Sequence, residues 1–112
     1  MKLVDLFKLI KNFYGYKASK IYINSEKNEV IVELYEAFVT KYHIDDNHGE
    51  FYAGIVIGNE NDVLCGKILG LELPMTLTEK FIFKSLDMVD EYCRLRLPDK
   101  YLKVYDNIHN RY

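Results

Sequence analysis

The sequence has little of what exported, disulfide-bonded and membrane-spanning proteins need. Its only cysteines are Cys65 and Cys93, too few for a disulfide framework, which favours a reducing cytoplasm. No stretch approaches the ~20 apolar residues of a membrane helix. Lys8 and Lys11 interrupt the first residues, which lack the apolar run of a secretory signal. We therefore expect a cytoplasmic protein that does not associate with a membrane.

Sequence motifs of the common enzyme classes are also missing. Ser19, Ser25 and Ser85 do not stand in a G-x-S-x-G context, and the six glycines form neither a phosphate-binding loop nor a dinucleotide fingerprint. Gly54 and Gly66 fall inside predicted strands instead, where a missing side chain serves a bend, a bulge or a close approach. We therefore predict no catalytic residue and no cofactor.

A cysteine nucleophile with a histidine base is one catalytic arrangement that the residue types still allow. If the predicted strands pair as their turns indicate, Cys65 lies opposite Val56, and His43 lies opposite Tyr52. The cysteine and the histidine are then two strands apart and out of register, at a separation of roughly 16 Å. No hydrogen bond spans that distance, so we expect Cys65 and Cys93 to be small packed residues.

The residues that are abundant indicate one folded domain over residues 1–112. Apolar residues make up 49% of the chain and charged residues 29%, which is typical of a globular protein. Lys, Ile, Asn and Tyr together supply 40 of the 112 residues. Their codons are rich in A and T, which indicates an A+T-rich genome such as that of a low-G+C bacterium or its phage.

Charge is segregated along the chain, although the total is only −2. Residues 1–20 carry five lysines and one aspartate, whereas residues 21–62 carry nine acids and two lysines, a net of −7. The middle of the chain is therefore acidic. A continuous basic stripe, which most nucleic-acid binding requires, is absent from the sequence, so we regard nucleic acid as an unfavoured partner.

Hydrophobic periodicity predicts the first half of the fold. Apolar residues recur at helical spacing from Leu3 to Tyr14, and Gly15 follows as a natural helix end. Residues 19–24 and the segment from Glu29 alternate, with turn residues between them, which predicts a hairpin. The alternation continues as far as Ile44, which favours one long, bent second strand with a bulge near residues 36–37.

The second half is predicted to complete an α+β domain. Residues 51–57 and 63–69 favour a third and a fourth strand. Thr76–Glu79 fits a capping box for a long helix that ends near Arg96, and Pro98 precedes a short last helix. The predicted order is α-β-β-β-β-α-α, a four-stranded antiparallel meander with the helices on one sheet face.

The second face of this sheet is unusually apolar for a solvent face. We assign to the core face Ile21, Ile23, Val30, Val32, Leu34, Ile55 and Ile57. The opposite face then carries Tyr22, Ile31, Tyr35, Val39, Tyr52, Val56, Cys65 and Leu69, relieved only by Lys20, Glu33, Lys41, His43 and Lys67. Either the last helix covers that face, or the register slips by one residue, or the face is a binding surface.

Our first functional hypothesis is a small non-enzymatic protein-binding module with a basic partner. Tyrosine is enriched at interfaces, and an acidic surface attracts a basic protein such as a nuclease. Inhibitors from phage or mobile elements, of anti-restriction or anti-CRISPR type, have this size and character. The predicted contact residues are Tyr22, Ile31, Tyr35, Tyr52, Val56, Leu69, Glu26, Glu29, Asp45, Asp46 and Glu50. A homodimer through the same face is also open.

Two alternatives from other classes stay open. The loop from His43 to Glu50 holds two histidines and three carboxylates, which are ligand types for Zn²⁺ or Mn²⁺, although Asp, Asn and Gly there also suit an ordinary hairpin loop. The basic N-terminal segment could bind nucleic acid, although its lysines also suit the solvated side of a helix. These lysines are Lys2, Lys8, Lys11, Lys17 and Lys20.

Overall fold

An antiparallel sheet with helices on one face forms the core of this chain in a computed structural model. The structure describes residues 2–45, 47, 49–57, 61–64 and 78–109. Over these residues the elements are α1 (Leu3–Tyr14), a 3-10 turn (Gly15–Lys17), β1 (Ala18–Asn24), β2 (Glu29–Leu34), β3 (Phe38–Asp45), β4 (Glu50–Ile57), β5 (Asn61–Leu64), α2 (Glu79–Arg96) and α3 (Asp99–His109).

The element order confirms the predicted α+β class, with an N-terminal helix, an antiparallel meander and two C-terminal helices. Each strand pairs with the next one in the chain, in the order β1-β2-β3-β4-β5. The described sheet has five strands instead of the predicted four, because the segment that we predicted as one long second strand is a hairpin. None of the described helices has both the length and the apolar character of a membrane span.

Helix α1 follows from its apolar periodicity. Leu6, Ile10 and Tyr14 are buried on one side of the helix, whereas Lys8 and Lys11 are exposed on the other. Gly15 ends the helix with φ at +55°, a left-handed conformation that glycine adopts without steric cost. The predicted first helix and its end are confirmed.

The predicted hairpin of β1 and β2 is also confirmed. Its turn at residues 25–28 forms hydrogen bonds with β3 as well. The Asn28 side-chain amide donates to the Ile44 carbonyl at 2.6 Å, and the Ile44 N–H donates to the Asn28 carbonyl at 3.2 Å. His43 Nδ1 lies 2.8 Å from the Lys27 carbonyl oxygen. The turn is therefore bonded to β3 as well as to its own two strands.

A tight turn between β2 and β3 replaces the predicted long strand and its bulge. Tyr35 and Glu36 have φ of 56° and 54°, and the Ala37 N–H donates to the Leu34 carbonyl at 3.0 Å. These are the features of a type I′ turn, which normally uses Asn and Gly. The chain reverses here without those residues because Tyr35 is bonded to distant parts of the fold, as described below.

The register of the remaining strands settles two predicted pairings. His43 lies opposite Tyr52, as predicted. Val56 lies opposite Asp62 instead of Cys65, because β5 begins earlier than predicted. Cys65 lies outside the described residues.

The N-cap of α2 lies two residues later than predicted. The Thr78 hydroxyl accepts a hydrogen bond from the Phe81 N–H at 3.4 Å, whereas the predicted cap, Thr76, lies outside the described residues. The predicted apolar stripe is buried as expected and comprises Ile82, Leu86, Val89 and Cys93. Helix α3 adds Leu102 and Tyr105 to the same core.

The core lies between the helices and one sheet face, and most of the predicted core residues occupy it. Val30, Val32, Leu34 and Ile55 are almost fully buried, and Ile21 packs against them. Ile23 is 38% exposed, because β1 is the edge strand of the sheet. The side chain of Ile57 lies outside the described part of the structure.

Candidate binding surface

The sheet face turned away from the helices carries mixed polar and apolar side chains, and we call it the outer face. Cross-strand pairs define it: Tyr22 lies opposite Ile31, and Ile31 lies opposite Lys41. The α3 residues pack into the same core as α1 and α2, so no described helix covers the outer face. The buried positions of Val30 and Val32 also exclude a one-residue slip of the register.

Four of the predicted apolar and aromatic contact residues lie on the outer face with different exposure. Tyr22 is 54% exposed, and Tyr52 and Val56 are partly exposed. Ile31 is only 7% exposed and is flanked by Tyr22 and Lys41 on the neighbouring strands. Leu69 lies outside the described residues.

Tyr35 does not belong to this face, contrary to its predicted position. It lies in the β2–β3 turn and is fully buried on the helical side of the sheet. Its hydroxyl donates to the Asp90 carboxylate and accepts from Arg94 Nη1 at 3.1 Å. A side chain engaged in this way offers nothing to a partner, so Tyr35 is removed from the proposed surface.

The predicted acidic contact residues belong to two loops, Glu26 to Glu29 and Asp45 to Glu50, whose described residues come together at one end of the sheet. The β1–β2 turn carries the exposed Glu26, and the strand ends beside it carry Asp45 and Glu50, which pair with each other across β3 and β4. The bonds from residues 27 and 28 to β3 hold the two loops side by side. Asp46 lies outside the described residues.

Glu29 differs from the exposed loop acid that the sequence predicts. It is the first residue of β2, lies opposite His43 on the outer face and is only 7% exposed. Its Oε1 atom is buried and accepts no hydrogen bond. A buried polar atom without a partner typically costs about 1–3 kcal/mol, so Glu29 is an unsatisfied position in the free protein.

A hollow of about 450 Å³ opens beside Glu29 at this end of the sheet. Its volume lies within the range of small-ligand pockets, roughly 300–1,000 Å³. The lining residues are Lys27, Glu29, Lys41, His43, Tyr52, Ala53 and Gly54.

Hydrogen bonds fix the orientation of two aromatic rings in the hollow. Because the Lys27 carbonyl can only accept, His43 Nδ1 carries the hydrogen of this bond. The Tyr52 hydroxyl donates to the Glu50 carboxylate. The two ring centroids lie 6.1 Å apart at an angle of 36°, so the rings form adjoining walls.

A second hollow, of about 530 Å³, lies on the helical side, and its central charges are already paired. Lys17 Nζ lies 2.8 Å from Asp90 Oδ2, while Asp90 Oδ1 accepts from Tyr35. Arg94 bonds to Tyr35 and, at 3.4 Å, to Asp106. Burial and the bond to Asp90 raise the pKa of Tyr35, which keeps this hydroxyl protonated. The network is a structural link between the sheet and the helices.

The two alternative sites are only partly assembled. Among the described side chains, no group of three or more His, Cys, Asp or Glu residues gathers around one point, and His48 lies outside the described residues. The predicted basic patch is divided, because Lys17 pairs with Asp90 and Lys20 lies on the outer sheet face. Lys8 and Lys11 remain exposed on α1, and Lys2 is exposed just before it.

Comparison with known proteins adds no functional information. No family model matches the chain, and neither the curated proteins nor the solved structures contain a significant match.

Sequence reasoning missed the hollow, although part of its signal was present. Glu29, Lys41 and His43 occupy odd-numbered positions, and the two strands carrying them are joined by a tight turn. Once that turn is placed at Tyr35 and Glu36, the antiparallel register puts Glu29 opposite His43. The burial of Glu29 could not be read in this way, because it depends on the packing of the outer face.

Proposed function

We propose that this chain is a non-enzymatic protein-binding module whose outer face covers a basic site on a larger protein. The observation that carries the proposal is the uneven cover of the sheet. The described helices all pack on one face, while the other presents the exposed Tyr22 and Val39 and carries acidic residues at one end. Exposed tyrosine on a rigid sheet provides contact area at low entropic cost.

Charge supports a basic partner. Residues 21–62 carry a net charge of −7. They contain the whole described sheet except the start of β1 and the end of β5. A protein that holds nucleic acid must present a basic site to the phosphates, and an acidic module would be drawn to it. We therefore propose an inhibitor of a nuclease or another nucleic-acid-binding protein, of the anti-restriction or anti-CRISPR type, acting in the cytoplasm.

The test is size-exclusion chromatography with light scattering, on the chain alone and after mixing with a lysate of its source organism. Co-eluting proteins are identified by mass spectrometry, and any nuclease among them is then assayed with and without the chain. We expect a stoichiometric complex with a basic protein and a loss of its nucleic-acid-dependent activity. A dimer of the chain alone would instead assign the outer face to self-association.

Matched variants locate the surface. Tyr22→Ser with Val39→Ser removes exposed apolar area from the outer face, and Val104→Ser with Ile108→Ser removes a similar area from α3, where these side chains are 52% and 56% exposed. We expect the first pair to abolish the complex and the second to leave it intact. The opposite pattern, or a monomer that binds nothing and inhibits nothing, would contradict the proposal.

A further inference from the structure

The hollow at the acidic end of the sheet contains a hydrogen-bond acceptor that the chain itself does not satisfy. Glu29 lines it with a buried carboxylate whose Oε1 accepts no bond, and His43 lies directly opposite on the neighbouring strand. Side chains at directly paired positions have their Cβ atoms about 5 Å apart. The Glu29 carboxylate therefore lies beside the His43 side chain, and its unsatisfied Oε1 calls for a ligand that donates hydrogen bonds.

From this arrangement we infer that the hollow receives an arginine side chain of the protein partner. A guanidinium group has five N–H donors in a planar fork, sheds water more readily than an ammonium and stacks on aromatic rings. Its N–H groups would donate to the Glu29 carboxylate beside His43, and its face would lie on the Tyr52 ring. This inference rests on the proposed function and names the partner group that would dominate binding at this end of the surface.

The other charges in the hollow are compatible with this occupant. Lys27 is exposed, so water and salt screen its charge. Lys41 is not a free cation, since it has a partner. The Glu50 carboxylate, bonded to the Tyr52 hydroxyl, adds a second negative charge beside the ring.

Other occupants fit less well. An anion in the hollow would lie beside the buried Glu29 carboxylate. Repulsion between the two negative charges would add to the free-energy cost of removing the anion from water. A divalent metal would find only Glu29 and His43 as ligands among the described lining residues. A lysine ammonium is compact and strongly hydrated, and it gains less from an aromatic wall than guanidinium does.

The experiment titrates the intact ¹⁵N-labelled chain with N-acetyl-arginine amide and follows the backbone amides by NMR. N-acetyl-citrulline amide, which has nearly the same shape without the charge, is the control probe. We expect saturable shifts at residues around the hollow, including Gly54 and His43, with the arginine probe only. Equal chemical-shift changes with both probes, or no saturable change, would overturn the inference. This experiment needs only the unmodified chain.

Two variants test the role of the carboxylate. Glu29→Gln keeps the shape and removes the charge, and we expect it to weaken binding of the arginine probe at least about tenfold, since hydrogen bonds to charged groups are the strong ones. Glu33→Gln, on the same strand and face, is the matched control and should bind as the parent does. Unchanged affinity in Glu29→Gln would contradict the assignment.

The two proposals can fail separately. If a partner complex forms and Glu29→Gln does not weaken it, the arginine assignment is wrong while the protein-binding function stands. If the arginine probe binds but no protein partner exists, the guanidinium group does not come from a protein. The hollow would then bind a small guanidinium compound.

Discussion

The Tyr35 hydroxyl donates a hydrogen bond to the Asp90 carboxylate and so joins the β2–β3 turn to the middle of α2. Both side chains are buried, and Asp90 also forms an ion pair with Lys17 at 2.8 Å. The Tyr35 main chain is held equally firmly, because its N–H donates to the Lys17 carbonyl at 2.9 Å and its carbonyl accepts from Tyr101. These bonds offset the strain of a tyrosine in the left-handed backbone conformation.

Removing that hydroxyl should therefore destabilise the fold. Tyr35→Phe leaves Asp90 Oδ1 and Arg94 Nη1 without this partner, and we expect the free energy of unfolding in urea to fall by about 1–3 kcal/mol. Tyr22→Phe removes an exposed hydroxyl and should change it by less than about 0.5 kcal/mol. Similar losses in the two variants would show that the buried network contributes little.

The same turn contains a position where a substitution should stabilise. Glu36 has φ of 54° and its side chain is exposed, and the second central residue of a type I′ turn favours glycine. We expect Glu36→Gly to raise the free energy of unfolding by about 1 kcal/mol. Glu26→Gly, in a turn at a residue without positive φ, should lower it by about 0.5–1 kcal/mol. If both substitutions changed the free energy of unfolding in urea in the same direction, the strain argument would be wrong.

Local sequence patterns predicted the elements whose causes are local. The apolar spacing of α1 with Gly15 and the alternation of β1 required no knowledge of the rest of the chain. The β2–β3 turn could not be found in this way. Tyr35 and Glu36 are poor residues for a left-handed turn, and the contacts that hold them come from Lys17, Asp90 and Tyr101. Long-range packing overrides local preference here.

The candidate site was predictable to a similar degree. The sequence placed Tyr22 and Tyr52 on one face of a sheet, since alternation determines those positions. It did not predict that the two acidic loops lie at the same end of that sheet. It treated Glu29 as one of several exposed acids. Its burial, with only 7% of the residue exposed, arises from packing in the folded sheet, which a single sequence does not reveal.

The unsatisfied Glu29 should reduce the stability of the free protein. Glu29→Gln removes a buried charge whose Oε1 has no partner, and we expect it to raise the free energy of unfolding by about 1 kcal/mol. Glu26→Gln, an exposed acid of the nearby turn, is the control and should have little effect. A clear destabilisation by Glu29→Gln in thermal or urea unfolding would show that the carboxylate is already stabilised in the isolated chain.

Alkaline pH should unfold the protein through its buried tyrosines. Burial, reinforced by the nearby Glu36, raises the pKa of Tyr105 from 10.0 to about 12, and burial beside Tyr42 also raises the pKa of Tyr14. A group whose folded pKa is raised contributes stability that is present below the unfolded pKa and is lost as the pH rises towards the folded pKa. We therefore expect the free energy of unfolding to fall from about pH 10 to pH 12.

Ultraviolet absorbance of tyrosinate, recorded together with circular dichroism, checks this expectation. Part of the tyrosinate signal should develop only as the circular dichroism of the folded state is lost. Tyr105→Phe, which removes one such group, should make the alkaline loss of stability shallower. Complete ionisation of the tyrosines while the fold remains intact would contradict the raised pKa values.

Electrostatic attraction at the acidic end should appear in the kinetics of partner binding. Glu26, Asp45 and Glu50 lie close together there, and attraction between such a patch and a basic protein accelerates encounter more than it slows dissociation. We expect the association rate to fall by about tenfold or more between low and high salt, while the dissociation rate changes little. Stopped-flow or surface-based kinetics with the purified partner measure both rates.

Two variants, each with one acidic side chain neutralised, test which part of the surface causes that attraction. Glu26→Gln removes an exposed charge from the acidic end, and Glu91→Gln removes an exposed charge from α2 on the helical side. If the outer face meets the partner, Glu26→Gln slows association and Glu91→Gln leaves it unchanged, because screening by salt limits each charge to a range of about 10 Å. Equal slowing by both variants would mean that the net charge of the whole chain, rather than this end of the sheet, guides the encounter.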